Sequence, residues 1–427
     1  MRDTMRTTVK RNLGFVSTRF KGNDGVSLET EKWVDVLNRM GYPCYLFGGD
    51  SDDHERDRLY FVPHAHFKHP EIQQIHTCAF TMASRPPEIT RQIQLLKDDL
   101  KQHLYKFVQT YNIHLLVVEN ALSIPLNIPL GLAITEFIAE TGFPTIAHHH
   151  DFFWERKRFL VNCVWDYLNM AFPPHLPAIQ HVVINSSASN QLSLRTGISG
   201  WMIPNVMDFD QPPPPADGYV LSLRQDVGVM ADEYFFLQPT RVVERKRIEH
   251  AIELISRLGM KARLVISHAS GDEGYEYERR LQDFAKLLNA PTNLISDIIR
   301  ESRDVLPDGR KVYTLWDAYR AADLVTYPSS MEGFGNAFLE AVYFRKPLVV
   351  NNYSIFAIDI KPKGFRVVEF DGYITEQTVH QVRDILENPG LGQEMAEVNY
   401  RLAKRHYSYT MLERHLRTLL MGYFGEE

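Results

Sequence analysis

The chain alternates between short apolar segments and longer amphipathic segments, and a run of four prolines interrupts the alternation once. Before the prolines, five apolar runs are typical of buried strands: LGFVST (13–18), CYLFGG (44–49), LLVVENA (115–121), PTIAHHH (144–150) and HVVINSS (181–187). Amphipathic segments such as residues 88–111 lie between them and are typical of helices. Strands that alternate with helices predict a parallel, doubly wound sheet.

The proline run in PPPPADG (212–218) predicts an extended connector, because consecutive prolines form neither helix nor sheet. The alternation then begins again. Further strand-like runs are YFFLQPT (234–240), ARLVISH (262–268), DLVTYPS (323–329) and PLVVNN (347–352), and residues 246–258 are typical of a helix. A second α/β domain is therefore expected after the prolines.

These patterns predict four parts. Residues 1–211 form a Rossmann-like domain, and 212–218 are the proline-rich linker. Residues 219–405 form a second Rossmann-like domain, and 406–427 form a C-terminal helix that packs back on the first domain. Ligands bind parallel sheets at the carboxyl ends of the strands, so we expect the two domains to face a cleft there.

Composition excludes several classes of protein. The 427 residues carry a net charge of −6, which argues against general nucleic-acid binding. Cys44, Cys78 and Cys163 are odd in number and widely spaced, so they predict neither a disulfide framework nor a metal site. The basic N-terminus has no apolar core after it, and no run approaches the length of a membrane span. We expect a cytoplasmic protein.

The segment MEGFGNAFLEA (331–341) follows a strand-like run and contains Glu332 and Glu340 on either side of a glycine-rich turn. We expect Glu332 in the loop and Glu340 about one turn inside the following helix. The backbone N–H groups of Gly335, Asn336 and Ala337 then form a helix N-terminus, which favours anions. An anion site between two carboxylates suits a nucleotide sugar, because carboxylates accept hydrogen bonds from sugar hydroxyls.

Arg241 and Lys246 lie five residues apart, where a strand-like run gives way to a helix-like segment. Two cations at such a turn can hold a diphosphate and offset its charge as it leaves. Arg245 and Arg247 are also basic, so an ordinary solvated charge run is the alternative interpretation.

Three segments together resemble a known family: PTRVVERK (239–246), WDAYRAADLVTYPSS (316–330) and EGFGNAFLE (332–340). In this order and spacing they are similar to the donor half of glycosyltransferase family 4, which are retaining enzymes with the GT-B fold. The resemblance implies two Rossmann-like doubly wound domains facing a cleft, with a C-terminal helix that crosses back to the first domain. It implies that residues 1–211 lie on the acceptor side and that residues 219–405 bind the nucleotide sugar.

The same resemblance implies roles for single residues. Arg241 and Lys246 would hold the diphosphate. Glu332 would bind donor-sugar hydroxyls and Glu340 the ribose hydroxyls. The Gly-Phe-Gly of Gly333, Phe334 and Gly335, with Asn336, would form the donor-binding turn, in which Gly335 and Asn336 lend backbone N–H groups to the phosphates.

Three consecutive histidines end a strand-like run in TIAHHHDFFWER (145–156). Neighbouring strand residues point to opposite faces, and no distant pair of ligands completes a set, so we expect no metal here. The family resemblance instead implies that one histidine contacts the donor sugar, and the sequence leaves His149 and His150 as the choice. Asp151 either orients a histidine, binds a sugar hydroxyl or caps a helix over 152–160.

Gly22 and Gly25 follow the first strand, and Asp50 follows the second. A dinucleotide-binding loop has the pattern G-x-G-x-x-G with an acid at such a position, but only G-x-x-G is present. The family resemblance implies that Gly22 and Gly25 are donor-binding residues in a wall of the cleft near the acceptor and phosphate. A plain tight turn and a nicotinamide-dependent oxidoreductase are the alternatives.

Three more residues are candidates for the acceptor side. Asn120 follows a strand and either faces the acceptor or caps the next turn. His64 and His66, in the loop HAHFKHPEI (64–72), either line the acceptor pocket or are solvated.

The sequence therefore predicts a metal-independent glycosyltransferase without a cofactor. It would move a hexose, with glucose or mannose favoured, from a nucleotide diphosphate sugar to a carbohydrate or small-molecule acceptor with retention. Nucleic acid is not an expected partner, membrane contact is possible but not supported, and the oligomeric state stays open. The alternatives are an epimerase or phosphorylase on the same fold, an NAD-dependent oxidoreductase, or a sugar-nucleotide sensor without activity.

Overall fold

A computed structural model describes residues 11–22, 24–50, 57–270 and 274–425. These residues form two compact units. Unit 1 contains the described residues up to Val206 together with those from Tyr409 onward, and unit 2 contains those from Met207 to Ser408.

Unit 1 is built on a seven-stranded sheet in which every pairing is parallel. Its strands are β1 (Asn12–Val16), β2 (Cys44–Gly48), β3 (Leu59–Phe61), β4 (Ile113–Glu119), β5 (Thr145–His149), β6 (Ile179–Val183) and β7 (Gly200–Met202). The order across the sheet is β3-β2-β1-β4-β5-β6-β7. The order reverses between β1 and β4, and a sheet of this kind binds ligands at that point of reversal.

Six helices of unit 1 connect these strands. They are α1 (Gly25–Arg39), α2 (Pro70–Thr81), α3 (Pro87–Thr110), α4 (Ile128–Thr141), α5 (Trp165–Ala171) and α6 (Ser186–Thr196). The side chain of Asp24 caps α1 by accepting hydrogen bonds from the backbone N–H groups of Val26 and Ser27. Trp33 and Leu37, four residues apart on one face of α1, are buried.

Unit 2 repeats the doubly wound plan. Its strands are β8 (Tyr234–Gln238), β9 (Ala262–Ile266), β10 (Thr292–Leu294), β11 (Asp304–Val305), β12 (Lys311–Val312), β13 (Leu324–Tyr327), β14 (Leu348–Asn351) and β15 (Val368–Phe370). Six of them form a parallel sheet in the order β10-β9-β8-β13-β14-β15, and β11 and β12 form a separate antiparallel pair. The order reverses between β8 and β13, so the carboxyl ends of these two strands are the expected ligand edge.

The helices of unit 2 are α7 (Gly218–Asp226), α8 (Glu249–Leu258), α9 (Glu276–Leu287), α10 (Leu315–Ala321), α11 (Asn336–Tyr343), α12 (Glu376–Glu387) and α13 (Pro389–Tyr407). One predicted boundary is wrong. Residues 244–246 form a separate 3₁₀ turn and Arg247 has a positive φ of 49°, so α8 begins at Glu249. Lys246 therefore precedes the helix and does not open it.

The last helix, α14 (Tyr409–Phe424), belongs to unit 1. Its buried residues Leu412, Leu416, Leu419 and Leu420 share a core cluster with Leu13 and Trp33. The expected return of the C-terminal helix to the first domain is confirmed. Among the described residues, no helix combines the length and the apolar character that a membrane crossing requires.

Candidate active site

Glu332 lies in the loop between β13 and α11, next to the 3₁₀ turn that contains Arg245 and Lys246. The backbone N–H of Ser330 donates to the carbonyl oxygen of Arg245 at 2.9 Å, which holds the two segments together. Lys246 Nζ donates a hydrogen bond to Glu332 Oε1, and Arg245 Nη1 lies 3.4 Å from Glu332 Oε2. The structure thus joins two predicted site residues that are far apart in sequence.

This ion pair is nearly sealed from solvent. The side chains of Lys246 and Glu332 are 10% and 9% exposed. Burial lowers the pKa of Lys246. Burial also acts to raise the pKa of Glu332, but the charges of Lys246 and Arg245 outweigh it and hold this pKa below its ordinary value. Glu332 is therefore a carboxylate at neutral pH, and Lys246 Nζ is already oriented by a fixed acceptor.

Glu340 lies one turn inside α11, as predicted. Its Oε2 accepts a hydrogen bond of 2.7 Å from the hydroxyl of Tyr319. Burial and the neighbouring Glu340 raise the pKa of Tyr319 well above its ordinary value, so this tyrosine stays a donor. The carboxylate of Glu340 is partly exposed and held in one orientation.

The backbone at Gly335 approaches its neighbours closely. Its φ of 128° favours glycine, and a Cβ atom there would lie 2.5 Å from the hydroxyl oxygen of Tyr353. That hydroxyl donates to the carbonyl oxygen of Phe334 at 3.0 Å. The Phe334 ring is buried against Tyr407, so this predicted donor-binding residue has only its backbone to offer. Gly333 is exposed and Asn336 partly exposed at the helix start.

Arg241 is exposed just after β8, and within the described residues its guanidinium has no ion-pair partner. A residue that the sequence analysis missed, His268, follows β9. Burial lowers the pKa of His268, and the charges of Arg241 and Lys246 lower it further. A cationic region therefore lies at the carboxyl ends of β8 and β9. The only sequence signal for His268 is its position at the end of the run ARLVISH.

In unit 1 the ligand edge contains a buried acid that the sequence analysis also missed. Glu119 is the last residue of β4, and its Oε2 lies 2.9 Å from His148 Nδ1 and 3.3 Å from His150 Nε2. Burial acts to raise the pKa of Glu119, but the two histidines lower it to about 2. A carboxylate only accepts hydrogen bonds, so the network assigns protons to His148 Nδ1 and His150 Nε2. Nδ1 of His150 is left for another partner.

The rings of His149 and His150 have different surroundings. His149 Nε2 lies 2.9 Å from His181 Nδ1, and the ring is buried among aromatic neighbours. Burial lowers the pKa of His149 well below its ordinary value. His150 retains 8% exposure at the strand end. Of the two candidates, His150 is the one that lies at the ligand edge.

Asn120 and Asp151 complete this edge. Asn120 has a positive φ of 58°, accepts a hydrogen bond from the backbone N–H of His150, and donates one of 3.0 Å to Asp151 Oδ1. Asp151 also pairs with Arg156. The predicted helix over 152–160 is wrong, because residues 153–155 and 157–159 form two separate 3₁₀ turns. Asp151 therefore orients the side chains of Asn120 and Arg156 and does not cap a helix.

The loop after β1 uses Asp50 in a way that argues against nicotinamide binding. The Asp50 carboxylate accepts hydrogen bonds from the backbone N–H groups of Phe20 and Lys21, the closest at 2.8 Å. It thus holds the loop that contains Gly22, whose φ is 138°, and that leads to Gly25 at the start of α1. Because the Asp50 carboxylate already accepts these backbone hydrogen bonds, it is not placed to bind a ribose.

The acceptor-side candidates His64 and His66 lie in a turn that packs closely against Gly49. A Cβ atom on Gly49 would lie 2.1 Å from the backbone nitrogen of His66, so the end of β2 packs directly on this turn. The His64 ring lies between the carboxylates of Glu71 and Asp99. His64 is therefore engaged by acids and is not simply solvated.

Comparison with known proteins agrees with this architecture. The sequence profile of the family described as "Glycosyl transferases group 1" matches residues 222–402. The mannosylglucosylglycerate synthase of Thermotoga maritima is 31% identical, over 91% of this chain and 95% of the relative. The enzyme of the same name from Petrotoga mobilis is 30% identical, over 83% of this chain and 86% of the relative.

Solved structures match over nearly the whole chain at low identity. A glycosyltransferase from Rickettsia africae gives a TM-score of 0.71 at 12% identity, over 98% of this chain and 100% of the other. Anabaena HepE in complex with UDP and glucose gives 0.64 at 12% identity, over 96% and 100%. The sucrose-phosphate synthase of Thermosynechococcus elongatus gives 0.66 at 14% identity, over 97% and 99%.

The two parallel-sheet domains and these structural matches define the GT-B fold. With a relative above 30% identity along almost its full length, the chain belongs to the glycosyl transferases group 1, the glycosyltransferase family 4 enzymes. The resemblance drawn from the sequence motifs is confirmed at the level of fold, family and enzyme class.

Proposed function

We propose that this enzyme transfers mannose from a nucleotide diphosphate sugar to a hydroxyl of glucosylglycerate, with retention at the anomeric carbon. The sequence favours glucose or mannose as the hexose. The names of the Thermotoga and Petrotoga relatives narrow this choice to the synthesis of mannosylglucosylglycerate.

The observation that carries the donor half of the proposal is the buried Lys246–Glu332 pair beside the start of α11. In the proposed complex the backbone N–H groups of Gly335 and Asn336 and the cations Arg241 and Lys246 bind the diphosphate. Glu332 binds sugar hydroxyls, and Glu340 binds the ribose. A nucleoside diphosphate is supported as the ligand class by the HepE structure, which contains UDP and glucose.

In the proposed reaction no protein side chain attacks the sugar. The leaving diphosphate accepts the proton of the acceptor hydroxyl on the same face of the sugar, so the new bond keeps the anomeric configuration. Arg241 and Lys246 offset the charge that grows on the diphosphate, which is electrostatic catalysis by groups already in place. We propose that these cations and the helix dipole make a metal ion unnecessary for turnover.

The groups at the ligand edge of unit 1 are proposed to contact the sugar and the acceptor. His150 presents Nδ1, because Glu119 occupies its other nitrogen. Asn120 and Asp151 hold the segment in which His150 lies. We propose that His150 binds the transferred sugar and that Asn120 and His66 lie on the acceptor side.

The experiment is a product assay with purified enzyme. GDP-mannose, UDP-glucose and their base-swapped analogues are each incubated with glucosylglycerate, and with glycerate or glucose as control acceptors. We expect one added hexose by mass spectrometry only when a mannose donor and glucosylglycerate are both present. NMR of the product is expected to show the anomeric configuration of the donor, and excess EDTA is expected to leave the rate unchanged.

Three results would contradict parts of this proposal. Transfer to glycerate or glucose but not to glucosylglycerate would refute the acceptor. An inverted anomeric centre would refute the mechanism. Loss of activity in EDTA, restored by magnesium or manganese, would refute metal independence.

A further inference from the structure

The turn after β3 and the start of α2 bring together two histidines and a glutamate outside the proposed active site. His64 lies in the 3₁₀ turn of residues 63–65, His69 directly precedes α2, and Glu71 lies in its first turn. One ligand atom from each lies within 4.8 Å of the others. We propose that His64, His69 and Glu71 bind a divalent transition metal, with zinc as the best chemical match.

His64 already has the orientation of a metal ligand. Its Nε2 lies 3.0 Å from Glu71 Oε2, and its Nδ1 lies 3.4 Å from Asp99 Oδ2 on α3. Histidines that ligate metals donate their other ring N–H to a carboxylate, which fixes the tautomer and strengthens the ligand. Asp99 supplies this carboxylate, so Nε2 is the nitrogen that faces the metal.

His69 has a nitrogen without a partner. Its Nδ1 is buried and makes no hydrogen bond within the described part of the chain. Buried polar atoms are nearly always paired, so an unpaired nitrogen on a residue of this cluster needs an explanation. The rings of His64 and His69 are 4.4 Å apart, which is close enough for both to serve one ion.

The ligand types select the metal. Two histidines and a glutamate form a set that zinc uses when a fourth position stays open to water. The side chains of His64 and Glu71 are 32% and 47% exposed, which leaves access for the ion and its water. A metal ion between these two side chains takes the place of their direct contact of 3.0 Å.

A second set, Glu119, His148 and His150, also converges, but it differs in accessibility. All three side chains are buried, and the carboxylate accepts hydrogen bonds from both rings. Both rings already donate to the Glu119 carboxylate, so an ion would have to displace these hydrogen bonds, and the burial of all three side chains restricts its entry from solvent. The partly exposed set at the start of α2 is therefore the better metal site.

The position of the site indicates what the metal does. Asn127, the N-cap of α4, donates hydrogen bonds to the carbonyl oxygens of His64 and Ala65. The next residue, His66, packs on Gly49 at the end of β2. An ion bound at His64 and His69 ties this turn to α2, so it stabilises unit 1 at its ligand edge. This inference does not depend on the proposed function.

The test uses the full chain, freed of affinity-tag histidines and stripped with a chelator. Zinc chloride is titrated by calorimetry, and cobalt binding is followed by visible absorption, in which tetrahedral coordination gives intense bands. We expect one equivalent per chain, a higher melting temperature with zinc, and loss of both effects in His69→Ala. Asp99→Asn is expected to weaken zinc binding by about 10- to 100-fold.

His380→Ala is the matched control, because His380 pairs with Asp384 at 2.9 Å on an exposed helix face with no third ligand. It should bind zinc like the wild type. Circular dichroism checks that each variant is folded. Absence of a stoichiometric zinc site, or equal zinc binding by the wild type and folded His69→Ala, would overturn the inference. Loss of binding in His150→Ala alone would also overturn it, by moving the site to the buried set.

Discussion

The ion pair between Lys246 and Glu332 contributes little to the stability of the fold. Removing two charges from water costs about as much as their attraction returns, so a buried ion pair adds little net stability. The hydrogen bond to Glu332 does fix the direction of Lys246 Nζ. Arg245 supplies a second positive charge, with its Nη1 3.4 Å from Glu332 Oε2. A cation held in place needs no reorganisation when negative charge develops on a ligand.

Lys246→Ala is therefore expected to lower turnover by about two to three orders of magnitude, the usual cost of losing one group that stabilises a transition state. Steady-state kinetics with the proposed mannose donor measures the effect on kcat and KM separately. Arg280→Ala is the control, since Arg280 is an exposed cation of unit 2 that pairs with Glu244. Near-normal turnover in folded Lys246→Ala would count heavily against the assigned donor site.

At the scale of an element, the start of α11 depends on Gly335. A Cβ atom there would collide with the Tyr353 hydroxyl, whose hydrogen bond to the carbonyl of Phe334 shapes the turn. The helix N-terminus is the proposed phosphate site, so a shift of this turn changes the direction of its N–H groups.

We expect Gly335→Ala to weaken nucleoside diphosphate binding by at least about tenfold, because the turn must move as well as adopt an unfavourable φ. Calorimetric titration with GDP and UDP measures this. Gly309→Ala is the control, since Gly309 also has a positive φ, of 85°, but has open space around it. Equal affinity in the two variants would show that the turn tolerates the side chain.

Strands were the elements that the sequence predicted best, because a buried parallel strand is a continuous apolar run. For example, the apolar run at 262–268 contains β9 (Ala262–Ile266). The sequence analysis did not predict β7, where Trp201 and Met202 are exposed and the apolar run is missing. The 3₁₀ turn at 244–246 was also missed, since local composition does not distinguish it from a helix start.

For the candidate site, the sequence identified residues but not most of their contacts. Residue types and spacing selected Glu332 and Lys246 as candidates, but did not predict the hydrogen bond between them, which spans 86 positions. The choice between His149 and His150 required the partner of each ring. The partner of the His149 ring is His181, which lies on the neighbouring strand β6. Glu119 was missed because a single acid at a strand end has no pattern around it.

At the scale of the whole molecule, buried histidines predict sensitivity to acid. Burial lowers the pKa of His181 from an ordinary value of 6.5 to about 4. Between these values the unfolded chain binds a proton that the folded chain does not, so folding stability is intact above about pH 6.5 and falls on acidification. From about pH 7 to about pH 5, His181 alone should cost roughly 2 kcal/mol.

Thermal unfolding at several pH values tests this expectation. His181→Asn removes the titrating ring and keeps a hydrogen-bonding side chain toward His149, so its melting temperature should depend less on pH than that of the wild type. Exposed His380, changed to Asn, is the control and should keep the full dependence. The same acid sensitivity in His181→Asn and the wild type would exclude His181 as a cause.

The return of α14 to unit 1 affects the order in which the molecule can be completed. Unit 2 is inserted between Val206 and Tyr409, and its first and last residues pair with each other, with Met207 N–H bonded to the carbonyl of Tyr407 at 2.9 Å. On the ribosome, the inserted unit is made in full before Leu412 and Leu416 are available to fill the core around Trp33. The earlier-made unit must therefore wait, with part of its apolar interior uncovered, until the later-made one has been synthesised.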